Sequence, residues 1–166
     1  MKKIPLLLAA AIFASTTTAM AQIPLSEISL GGVTPNTDRA YVQEIYGEGN
    51  ASPVQYDYRQ GYYSASLKYG DSVEIWSSSP TADGEQMVSF MIVRANNGFA
   101  TPKGIHVGST LKEVLTAYGR PDGRTVNIKP DKKPKTLNYR AYNSSANISF
   151  MTKNDIVTEI RMGFNL

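Results

Sequence analysis

The chain has 166 residues, a formal net charge of +3 and no cysteine. The absence of thiols excludes disulfides, thiolate metal sites and a cysteine nucleophile. So small a charge excludes the strongly basic face that neutralises nucleic-acid phosphates.

Residues 1–21 read as a secretory signal. Lys2 and Lys3 open it, Ile4 to Ala14 is its apolar run, and Ala19-Met20-Ala21 is a small-x-small cleavage site. The run is shorter than the roughly 20 apolar residues that span a bilayer. No cysteine stands at the cleavage site, so the mature chain is expected to start near Gln22 without a lipid anchor, as a periplasmic or secreted protein with no transmembrane segment. Its formal charge falls from +3 to +1 once Lys2 and Lys3 leave. Abundant tyrosine and short alternating runs point to a β-rich fold.

After the turn glycines Gly31-Gly32, the segment Tyr41, Val42, Ile45, Tyr46 spaces apolar residues for a short helix. Asp38 or Thr37 can cap it, and Gly47 ends it. Val54-Tyr56-Tyr58 and Tyr63-Ala65-Leu67-Tyr69 then alternate as half-buried strands around an Arg59-Gln60-Gly61 turn. Val73 to Ser77 and Met87 to Ala95 read as a second strand pair, joined by a loop holding Pro80 and Gly84. Ala95 to Lys103 is the expected junction.

Beyond it the order recurs. Thr110 and Glu113 form a capping box, Leu111, Val114, Leu115 and Tyr118 make an apolar stripe, and Gly119 and Pro121 stop the helix. With an offset of 72, Gly32 meets Gly104, Thr37 meets Ser109, Val42 meets Val114 and Tyr46-Gly47 meets Tyr118-Gly119. Thr125 to Ile128 is expected to pair with Leu137 to Tyr142, and Asn147 to Met151 with Ile156 to Phe164 across Lys153-Asn154-Asp155. The expected fold class is α+β: two tandem units, residues 22–98 and 99–166, each a short helix or helical hairpin followed by a mostly antiparallel sheet of three to four strands.

A helix with Gly-Ser-Thr at its start and Tyr-Gly-x-Pro at its end, followed by hairpins, resembles the SmpA/OmlA family, the fold of BamE-type envelope lipoproteins. Ile105, Gly108, Ser109, Thr110, Val114, Tyr118, Gly119, Pro121 and the final hairpin ending at Ile160 carry the resemblance. Two tandem units are also similar in architecture to the β-lactamase-inhibitor proteins. The resemblance implies a non-enzymatic protein that works through a surface. The missing lipoprotein cysteine and the second copy depart from the family pattern.

No catalytic constellation stands out. His106, the only histidine, precedes the second helix. A triad needs it set against Ser109 or another hydroxyl and a carboxylate. Asp71 and Glu74 near a strand start, and Asp122 and Asp131 around a hairpin, read as solvated carboxylates, and no metal site or cofactor is expected. Two surfaces are candidates for a partner. Trp76 is out of phase with Val73 and Ile75, and Tyr62, Ser64, Ser66 and Lys68 are out of phase with their strand's apolar set. With Glu74 they belong to the sheet face that helices leave free, where Trp and Tyr are favoured anchors. The loop Lys129-Pro130-Asp131-Lys132-Lys133-Pro134-Lys135 is basic and broken by proline, and Lys132, Lys133 and Lys135 are its candidates for weak contact with anionic envelope polymer or lipid. The expected function is a non-catalytic exported module that docks another envelope or secreted protein and binds no nucleic acid. The alternatives are an inhibitor of a secreted hydrolase and, less favoured by the residues present, an enzyme acting on envelope polysaccharide.

Overall fold

A computed structural model describes residues 22–121 and 135–164. In chain order it forms β1 (Gln22–Ile23), α1 (Arg39–Tyr46), β2 (Asn50–Ala51), β3 (Gln55–Asp57), β4 (Tyr62–Tyr69), β5 (Val73–Ser79) and β6 (Met87–Val93). Then follow α2 (Leu111–Tyr118), β7 (Lys135–Ala141), β8 (Ala146–Lys153) and β9 (Ile156–Phe164). Thr125 to Ile128, expected as a strand, lies outside the described residues.

The expectation of two helix-plus-small-sheet units is overturned. All nine strands belong to one mixed sheet in the order β1-β7-β8-β9-β6-β5-β4-β2, with β3 also on β4. The seam is the antiparallel pair β6–β9, where Phe90 faces Gly163, Met91 faces Met162, Ile92 faces Arg161 and Val93 faces Ile160. Separate sheets would leave these two apolar strands as open edges, each a row of unpaired backbone groups. Pairing them removes both edges and makes one sheet. Only β1 runs parallel to its neighbour, β7; the other pairs are antiparallel.

Three of the strand pairs read from the sequence form: β3 with β4 from Gln55–Ser64 to Asp57–Tyr62, β5 with β6 from Val73–Val93 to Ser78–Met87, and β8 with β9 from Ala146–Phe164 to Lys153–Ile156. β4 also pairs with β5, from Tyr63–Ser79 to Tyr69–Val73. One phase of every long strand is apolar: Leu67, Ile75, Met91, Met162, Ile148 and Tyr139 lie in register across the sheet. They share one buried core with Val42 of α1 and with Leu111, Val114 and Tyr118 of α2, so both helices cover the same sheet face.

Local chemistry sets the helix ends. The Asp38 carboxylate accepts from the Ala40 N–H at 2.9 Å and so caps α1. Thr37 instead closes the preceding turn, its hydroxyl accepting from the Thr34 N–H at 2.9 Å. In α2 the Glu113 N–H donates to Thr110 Oγ1 at 3.2 Å and the Thr110 N–H donates to Glu113 Oε2 at 2.6 Å, the reciprocal pair of a capping box. Strand tyrosines satisfy the carbonyls at the other ends. Tyr69 Oη donates to Gly47 O at 2.8 Å, and Tyr139 Oη donates to Gly119 O at 2.9 Å. Gly119 has φ 73°, a left-handed conformation that suits glycine.

Candidate protein-docking face

Among the described residues, no helix lies on the second sheet face. In register across it lie Lys68 and Glu74, then Ile92 and Arg161, with Ser66, Trp76, Phe90 and Gly163 in the next row. Trp76 is 40% exposed. The β5–β6 register shifts between Trp76 and Ser77, and such a bulge adds twist and re-aims the neighbouring side chain. Phe90 leans over Gly163, where an added Cβ would come within 3.0 Å of its ring and 2.5 Å of Ser89 O. The missing side chain therefore makes room for the aromatic.

Beside this aromatic step runs a ladder of five charges. Lys68 Nζ lies 3.6 Å from Glu74 Oε1, and Arg94 Nη1 lies 3.5 Å from Glu74 Oε2. Arg94 Nε lies 3.0 Å from Glu159 Oε2, and Arg161 Nε contacts Glu159 Oε1. Each carboxylate oxygen thus holds one cation. The Glu74 and Glu159 side chains are only 18% and 15% exposed, against 52%, 39% and 40% for Lys68, Arg94 and Arg161. The carboxylates lie beneath and the cations above, so the ladder presents N–H donors and positive charge to solvent. Ile92, in register between Glu74 and Arg161, is buried although no helix covers this face.

The structure thus brings Trp76, Lys68 and Glu74 together. Tyr62 lies on the same face, half-buried beside Asp57 at the far end of β4. Arg94, Glu159, Arg161 and Phe90 complete the face and were not among the residues singled out from the sequence. Their only local signal is phase: Glu159 and Arg161 alternate with the buried Ile160 and Met162. Lys132 and Lys133 lie outside the described residues. Lys135 is no exposed loop cation. It starts β7 in phase with the core residues Leu137 and Tyr139, is buried, and its ammonium lies 3.2 Å from Asp155 Oδ1.

His106 comes close to Ser109, with Nδ1 3.3 Å from the hydroxyl, beside a groove of about 550 Å³ at the start of α2. Nδ1 also lies 3.1 Å from Gly104 O, a group that only accepts; the tautomer with the proton on Nδ1 satisfies that carbonyl, and the other tautomer faces the serine instead. Ser109 Oγ accepts from the His106 N–H at 3.1 Å, which is the turn closure that Thr37 performs before α1. Among the described residues no three His, Asp or Glu side chains gather into a metal-binding group. No described helix is long and apolar enough to cross a membrane.

No protein-family model matches the chain, nor does any curated protein or solved structure. These comparisons lend no support to the resemblance to SmpA/OmlA domains, and the functional reading rests on the chain's own geometry.

Proposed function

We propose that the mature chain is an exported binding module that docks another protein of the cell envelope or the surrounding medium through the helix-free sheet face. The observation that carries this reading is Trp76, 40% exposed on the face opposite the buried core cluster. A half-exposed tryptophan beside a bulge and a second aromatic is the kind of anchor that dominates protein interfaces. The competing contact of His106 Nδ1 with Gly104 O, and the absence of a hydrogen-bonded carboxylate orienting His106 among the described residues, favour binding over turnover.

Cross-linking the mature chain to the envelope and medium of the producing cells should capture one protein in about equal amount. Trp76→Ala should weaken that capture by about 30-fold, as expected for an anchor worth about 2 kcal/mol, while leaving the far-UV circular dichroism unchanged. Equal capture by the folded variant would remove this face from consideration. The identity of the captured protein would separate an assembly partner from a hydrolase inhibited by the module.

A further inference from the structure

Resting on that docking reading, we propose that the occupant of the open face is an acidic, extended segment of the partner protein. Its carboxylates bind the outward cations of the Lys68–Glu74–Arg94–Glu159–Arg161 ladder, and an apolar side chain rests on the Trp76–Phe90 step.

The argument is one of charge complementarity. Three cations share two carboxylates, and all four carboxylate oxygens are already engaged. An approaching basic group meets carboxylates that are already ion-paired and lie beneath the three cations. An approaching carboxylate finds the remaining N–H groups of Lys68, Arg94 and Arg161, on the more exposed members of the ladder. An arginine presents five donors in a planar fork, and only Nε of Arg161 is spent on Glu159.

Geometry narrows the class further. Lys68 and Arg161 stand on β4 and β9, three strand spacings apart in the sheet order, about 14 Å at the usual spacing. An extended peptide covers that distance in about four residues. Carboxylates four positions apart point to the same side of such a peptide, one toward each end of the ladder. The residue midway between them, which has the same phase, passes over the Glu74–Ile92 part of the row, beside Arg94. The Trp76–Phe90 row lies next to the ladder, two residues along β5 and β6 from Glu74 and Ile92, within reach of a large apolar neighbour in the same segment.

Trp76 is the chain's only tryptophan, so its fluorescence reads this face directly. The probe is a synthetic peptide alternating glutamate and leucine, with its lysine-for-glutamate counterpart as control. Titrating the full mature chain with the acidic peptide should shift Trp76 emission to the blue and saturate, and the basic peptide should not. Raising salt from 50 to 500 mM should weaken binding by roughly fivefold or more, as the Debye length shrinks from over 10 Å to a few ångströms. The double variant Lys68→Gln/Arg161→Gln should weaken it by about tenfold. The salt series needs no variant and stands even if the substitutions disturb the fold.

Equal response to both peptides, no response, or a response confined to phosphatidylglycerol vesicles would overturn the acidic-segment assignment. The broader docking reading is separable from it. A cross-linked partner lost with Trp76→Ala but indifferent to Lys68→Gln/Arg161→Gln and to salt would keep the docking face and reject its acidic occupant.

Discussion

At the scale of single residues, the tyrosines do more than fill space. Tyr118, Tyr139 and Phe150 form one aromatic cluster, with ring centroids 5.3 to 5.9 Å apart. Burial pushes the Tyr118 hydroxyl up to about 12 and raises Tyr139 further still, with the nearby Tyr118 adding to the latter. The sign follows from linkage: an unfolded tyrosine ionises near 10 while the folded one stays neutral. The stability these groups contribute is therefore fully present below pH 10 and is lost as pH rises toward 12 and beyond. Tyr139→Phe keeps the ring but takes the donor from Gly119 O, and should cost about 1 kcal/mol at pH 7. It also removes one titrating group, so its loss of stability from pH 10 to 11.5 should be shallower than that of the wild type. Urea midpoints measured across this range check both expectations. An unchanged midpoint at pH 7 would show that water replaces the hydroxyl without cost.

At the scale of elements, α2 was readable because its signals are local. Thr110, Glu113 and Gly119 are chosen by the few backbone groups they satisfy, and the helix runs from Leu111 to Tyr118 between them. Glu113 is held below the usual carboxylate range by the Thr110 backbone N–H, then by the Thr110 hydroxyl. A depressed carboxylate stabilises the fold above its ordinary pKa, and that stabilisation is lost as pH falls through the depressed value. Thr110→Ala should cost about 1 kcal/mol near neutral pH, which corresponds to a drop in Tm of about 4 °C. It should also lose less than the wild type on acidification, since part of what protonating Glu113 breaks is already gone. Thermal melts at pH 7 and pH 3 read the difference. The hairpins β3–β4, β5–β6 and β8–β9 were legible for the same reason: period-two alternation and turn residues act over a few neighbours. The placement of Lys135 was not. A run of lysines and prolines looks solvated, and only the register of β7 shows that its first residue has the buried phase and an Asp155 partner.

At the scale of the molecule, the β6–β9 seam joins residues 87–93 to 156–164 and merges what read as two units into one sheet with one core. Residues 22–98 alone would expose the β6 edge with Met91 and Val93, which the full chain buries. Such a fragment should remain largely unfolded or self-associate. The full mature chain should unfold in one transition, with Trp76 fluorescence and far-UV circular dichroism coincident in urea. Separated midpoints for the two signals would mean that the seam is too weak to couple the halves. The same seam assembles the candidate site: Lys68 and Glu74 come from the first half, Glu159 and Arg161 from the last strand, and Arg94 bridges them. Trp76, Tyr62, Lys68 and Glu74 could be picked out by phase because a strand's alternation is written in its own residues. Their meeting with Arg161 could not, because the choice of strand neighbour depends on which distant apolar edge is available to be covered. Caps, turns and the in-or-out phase of each strand are short-range properties that the residues carry themselves. The burial of Lys135 comes from the β7–β8 register and its Asp155 partner. The single sheet and the charge ladder arise from pairing between segments some 70 residues apart, where the free energy comes from hiding two open edges at once and no local pattern records the partner.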